Sequence, residues 1–337
     1  MSKRNTGLDL IRCIALLLVL TFHFFLNNGY YYEKQEGVAV FLAGSVRWLS
    51  TSCIGLFLML SGYLKSEKSG YKSIWKGLLP LLLGYLLAAV ITIPVRHLCF
   101  HQEYTVTQWI WKLFDFSALY YGWYVEMFVG LTLLMPFINI LLRQLNERAI
   151  LLLAAVLLLL TAAPGATPLR LLPDHWRGIY PVTYYVLGAV IRRKQPRIST
   201  WFGIGGAILT ALLMGGATVL STQENLSEAL TWEFADLWTV MISVCLFMSL
   251  YRLELPSKIG NILAFGASGC YGGYLLSHLM DGWCYKLVPQ WHTPARYPLT
   301  FLLITVPSFV ICVLAGWLLQ RLTGRIAFQD KKLLLTK

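Results

Sequence analysis

Charge is what this sequence lacks most. Asp, Glu, Lys and Arg make up 13% of its 337 residues, against about one quarter in soluble domains, while 57% are hydrophobic. That balance excludes an ordinary water-dissolved enzyme, for which there is too little polar surface. Acidic residues are scarcer still, 16 against 28 basic ones, a net charge of +12. No DNA-reading module accompanies the basic excess, so nucleic acid is not an expected partner. The seven cysteines show no CxxC pair and fall mostly in apolar stretches, which argues against a disulfide framework. A GxSxG elbow and a phosphate-binding loop ending in GKS or GKT are both missing, and with them the soluble-enzyme chemistries they serve. His97, Cys99 and His101 alternate as ligands would on an extended strand, but no fourth partner is apparent and no metal is expected. Low-complexity linkers are absent, so residues 1–337 read as one domain.

What is present is apolar sequence in long runs. About ten stretches suit a bilayer crossing, near 8–27, 45–64, 74–95, 118–142, 148–164, 178–192, 200–220, 234–251, 260–285 and 298–320. All are expected to be α-helices, because backbone polar groups in lipid need partners within their own segment. The expected fold is an all-α polytopic integral membrane protein. The first stretch is too long for a signal peptide and carries Arg12 and His23, so it is expected to remain as a helix. Most basic residues, Lys65, Lys68, Lys72, Lys76 and Arg192 to Lys194 among them, fall on one side if the N-terminus is cytoplasmic, which puts both termini inside. Trp109 and Trp111, in the connection 96–117, suit an interfacial helix. Gly203, Gly205, Gly206, Gly215, Gly216, Gly269 and Gly273 suit close helix packing.

An ionisable side chain inside a span is costly and marks a candidate site. The first stretch holds Asp9, Arg12 and His23. Asp9 and Arg12, three residues apart, can pair on one face. Arg12 and His23, eleven apart, share a face with roughly 16 Å between them. His278 and Asp281 share a face of the ninth stretch, and Glu126 lies at a similar depth in the fourth, so two histidines and a carboxylate can converge. For Glu126 and Asp281 the favoured reading is that they sit at the aqueous interface. An imidazole, whose charge changes near neutral pH, suits His23 to general-base work.

Arg12 and His23 within LDLIRCIALLLVLTFH resemble the signature of the acyltransferase family 3 membrane proteins. CIGLFLMLSGYL, with Ser61, Gly62 and Tyr63, is similar to the family's second-helix phrase. GWYVEMFVGLTLLMPFIN, with Trp123, resembles its Trp-aromatic helix, and SGCYGGYLLSH its late Tyr-Leu-x-x-His segment. The resemblance implies a ten-helix O-acyltransferase of the bacterial cell (cytoplasmic) membrane. Such an enzyme moves acetyl or succinyl from cytoplasmic acyl-CoA to an extracytoplasmic polysaccharide or lipid-linked glycan. Acyl-CoA is then a co-substrate, with no bound cofactor. His23 and Arg12 are the implied catalytic residues; His278, Glu126, Asp9, Ser61, Tyr63 and Trp123 support them; Lys65, Lys72 and Lys76 hold acyl-CoA phosphates. Lys72 and Lys76 stand where many members have an Arg-x-x-Arg pair. Any partner in envelope biosynthesis is expected as a separate chain. The alternative is a membrane carrier or exporter of a glycan, acyl group or small metabolite, in which the same residues line a pathway.

Overall fold

The computed structural model describes residues 4–28, 30–32, 37–68, 72–163, 174–220, 233–287 and 297–334. All regular structure among them is helical. The helices are α1 (Thr6–Asn27), α2 (Gly37–Lys65), α3 (Lys72–Phe100), α4 (Val106–Phe114), α5 (Trp123–Gln144), α6 (Glu147–Thr161), α7 (Tyr180–Lys194), α8 (Thr200–Leu220), α9 (Leu237–Leu250), α10 (Ser257–Leu287) and α11 (Tyr297–Leu334). Local chemistry sets several starts. Asn5, Asn146 and Asp236 each cap a helix by accepting from a backbone N–H. Thr105 and Gln108 form a reciprocal capping box on α4.

Each of the ten apolar stretches falls on a helix, and α4, nine residues long, lies in the Trp109 and Trp111 connection. Among the described residues six helices, α1, α2, α3, α5, α8 and α11, are long and apolar enough to cross a membrane. At 15, 15 and 14 residues, α6, α7 and α9 are shorter. α10 has 31 residues, but Gly, Ser, His and Asp dilute its apolar character. Large apolar side chains face outward, among them Trp201, Phe202 and Leu213 on α8 and Leu302 and Leu303 on α11. A soluble bundle would bury these, whereas lipid is a suitable solvent for them.

The spacing that suggested an extended segment at His97, Cys99 and His101 is instead helical as far as Phe100. Alternate residues on a helix point to nearly opposite sides, so the three cannot share a face. Among the described residues, no group of three or more His, Cys, Asp or Glu gathers as metal ligands would.

α1 packs against α2, α10 and α11, while α2 also packs on α7, α8 and α9. One close approach joins α10 to α11. A Cβ on Gly316 would stand 2.0 Å from the Gly269 carbonyl and 2.2 Å from the Gly273 nitrogen. Backbone cannot yield as a flexible side chain can, so this seam requires glycine. Gly316→Val should therefore lower stability by about 1–3 kcal/mol or prevent folding. Gly130→Ala, where a Cβ meets nothing within 4 Å, should be neutral or slightly stabilising. Thermal unfolding of both variants in one detergent distinguishes the two outcomes.

Candidate active site

Among the described residues, α1 contributes an ionisable residue to each of two cavities in the bundle. The first, about 370 Å³, is lined by Arg12 with Ser61 and Lys65 of α2, Ser268 of α10, and Gln320 and Thr323 of α11. Its remaining wall is aromatic and aliphatic, including Phe57, Tyr124 and Tyr271. Asp9 is buried and aims Arg12. Its Oδ1 accepts from the Arg12 guanidinium at 2.6 Å, one turn along α1, and its carboxylate also holds Arg4. The cavity thus has a cationic end and a long apolar flank.

The second cavity, about 250 Å³, is lined by His23 and Phe22 of α1, Tyr121 just before α5, Trp123 at its start, Tyr31 and Phe234. His23 is 5% exposed. Its Nδ1 lies 3.1 Å from Asp281 Oδ2 of α10, within ion-pair range but out of line for a hydrogen bond. Tyr121 completes the group. Its hydroxyl donates to the same Oδ2 at 3.0 Å, and its ring stacks on the imidazole with centroids 3.6 Å apart. With Nδ1 turned to Asp281, Nε2 is the nitrogen available to the cavity.

Tyr121 comes from the connection 115–122, which the fold holds tightly. Arg96 donates to the Ala118 carbonyl at 3.0 Å and to Gln102 at 2.7 Å. Phe116 has φ 60°, in the left-handed region. A Cβ on Gly122 would stand 1.8 Å from the Phe116 carbonyl, so the turn into α5 requires glycine there. The hydrogen bonds to Gln102 and Ala118 satisfy the buried Arg96 guanidinium.

The Ser61–Gly62–Tyr63 phrase divides three ways. Ser61 lines the Arg12 cavity. Gly62 lets α7 approach, since a Cβ would stand 1.9 Å from the Tyr185 carbonyl. Tyr63 faces away from the cavity, packing on Phe247 and Tyr251 and beneath Arg192. Lys65 lines the Arg12 cavity over the Phe128 ring. Lys72 and Lys76 lie in the first turns of α3, with side chains outside the described structure. His278 stacks on Tyr120, with centroids 4.8 Å apart, and meets the edge of Tyr121, so one ring separates it from His23. Glu126 is exposed in the first turn of α5 and lines neither cavity. The carboxylate brought to His23 is Asp281, whose spacing from His278 hinted at a shared face but not at this partner. No sequence signal pointed to Tyr121.

A family model described as an acyltransferase domain matches residues 5–317, nearly the whole chain. No curated protein and no solved structure matches.

Asp281 accepts from the Tyr121 hydroxyl and lies within ion-pair range of His23, both from other segments, so truncation should be felt in the fold. Asp281→Ala should cost about 1–3 kcal/mol, the scale of leaving a buried polar group unpaired. Asp281→Asn, which can still accept from Tyr121, should cost clearly less. Equal unfolding temperatures for the two variants would count against this three-residue group.

Proposed function

The chain belongs to this acyltransferase family, and on that premise we propose that it carries an acyl group across a bacterial cell membrane. The donor is cytoplasmic acyl-CoA, bearing acetyl or succinyl, and the acceptor is a hydroxyl of an extracytoplasmic or lipid-linked glycan. Every helix but α4 spans in this reading, with both termini in the cytoplasm, where the positive-inside pattern puts Lys65 and Arg192 to Lys194.

The observation that carries the proposal is that Arg12 and His23, on one face of one helix, each open into a different cavity. The Arg12 cavity suits a donor with an anionic head and an extended, less polar arm. Arg12 and Lys65 supply the cations, and Phe57, Tyr124 and Phe128 supply the apolar flank. The roughly 16 Å from Arg12 to His23 along α1 is the length such an arm has to cover. At the other end, Trp123 and Phe234, stacked with centroids 5.7 Å apart, offer a flat aromatic face to a sugar ring.

In the proposed reaction, His23 Nε2 takes the proton of the acceptor hydroxyl as its oxygen attacks the thioester carbonyl. The C–O bond forms, the C–S bond breaks, and the proton passes from His23 to the departing thiolate. Asp281 steadies the imidazolium formed midway, as a carboxylate beside a catalytic histidine does elsewhere. An acyl-histidine relay uses the same residues with the histidine as nucleophile.

The test is thiol release from acetyl-CoA or succinyl-CoA by the purified chain in nanodiscs, with a panel of glycan acceptors. His23→Ala should lower turnover by about 10²–10⁴-fold, the contribution of a positioned base. Wild-type turnover with no dependence on His23 would refute the mechanism. No turnover with any acyl-CoA would favour a carrier.

A further inference from the structure

The two cavities follow one another along shared helices. On α2, Cys53 and Ile54 line the His23 cavity and Phe57 begins the Arg12 cavity. At the start of α5 the change comes between Trp123 and Tyr124. One helical turn is about 5 Å, so the division is about one side chain thick.

Tyr274 of α10 lines both cavities. Its neighbour Cys270, one turn earlier, lines only the Arg12 cavity, and Asp281, two turns later, stands at His23. Tyr274 is 5% exposed, and its ring packs edge-on against Tyr124 with centroids 5.1 Å apart. Its hydroxyl donates to the Tyr121 carbonyl at 2.5 Å. Tyr121 is also the residue that stacks on His23 and donates to Asp281. The ring between the cavities is therefore latched to the residue that shapes the histidine site.

We infer that Tyr274 is a partition between the Arg12 and His23 cavities, held closed by its hydrogen bond to Tyr121, and that it limits the length of acyl group able to reach His23. The length limit rests on the acyltransferase reading, whereas the partition does not. A donor seated in the Arg12 cavity presents its acyl end beneath the Tyr274 ring. A two-carbon group needs a small displacement of that ring, and each further methylene needs more. The same ring, when closed, keeps water in one cavity from entering the other, which protects a thioester from hydrolysis.

Two measurements test the halves separately. The first uses the full chain in sealed vesicles of each sidedness, with Phe22→Cys placing a thiol in the His23 cavity. A membrane-impermeant cationic methanethiosulfonate is added outside, and labelling of each cysteine is read by peptide mass. With Tyr274 intact, this thiol should be modified from the His23 side only. Adding Tyr274→Ala should expose it from the Arg12 side. Tyr274→Phe, which keeps the ring and loses the latch, should raise labelling from the Arg12 side several-fold. Equal labelling from the Arg12 side in all three proteins would overturn the partition.

The second compares kcat/KM for acetyl-, butyryl- and hexanoyl-CoA. Tyr274→Ala should raise the hexanoyl-to-acetyl ratio at least about ten-fold, the lower end of what one methylene is worth in a tight pocket. An unchanged ratio would overturn the length limit. If the chain with Tyr274 intact turns over no acyl-CoA, the acyltransferase reading falls and takes the length limit with it, while the labelling still decides the partition.

Discussion

A carboxylate buried among apolar helices and shielded from bulk solvent must find its partners in the protein, and Asp281 is where this fold meets that demand. Desolvating one ion costs several kcal/mol. Asp281 offsets that cost with His23 from α1 and Tyr121 from the connection into α5. One side chain of α10 thus ties together three segments distant in sequence. Tyr121 in turn needs Arg96 and the tight turn at Gly122 to arrive at the right depth. The histidine, its ring partner and the aromatic wall around them follow from this one buried carboxyl group.

Much of the helical framework was legible in the sequence because its signal is local. Apolar runs fell on helices, the three-residue spacing of Asp9 and Arg12 led to a bonded pair, and four short motifs pointed to the family that the chain matches. The seam of α10 and α11 was half legible. Gly269 and Gly273 stood out at helical spacing, but Gly316, their partner on α11, did not. Asp281 read as an interfacial residue because its partner lies on another helix, far away in sequence. Tyr121 was invisible for a different reason: it sits in a connection, where no periodicity assigns a face. At His97 to His101, a residue pattern was given strand geometry although α3 persists as far as Phe100, and an apolar helix end offers little to mark where it stops.

The placement of Arg12 and His23 shows how a single helix can act as a spacer. Both occupy one face of α1, but the walls opposite differ. Arg12 faces hydroxyls and a lysine, while His23 faces aromatic rings and a carboxylate. The rise of the helix fixes their separation without either cavity having to know of the other. Two chemically different ligands can then approach from opposite ends, each meeting groups suited to it. This is also why the division between the cavities matters: a continuous aqueous path would admit water to any reactive carbonyl between them.

Charge balance at the Arg12 end follows from the same economy of ions. Asp9 binds two arginines, so the group of three carries a net single positive charge, and Lys65 adds another at the cavity wall. Were Asp9 absent, Arg12 would be free to turn toward any carbonyl or anion in reach. Were Arg4 absent, the Asp9 charge would bear on Arg12 alone and cancel more of its attraction for an anion. With both present, the guanidinium of Arg12 is held in direction by one Asp9 oxygen, and Arg4 shares the carboxylate's charge. A group held in direction and still cationic binds an incoming anion with less reorganisation than a freely swinging one. The short Arg4–Asp9–Arg12 cluster is therefore better understood as a mount for Arg12 than as a source of stability.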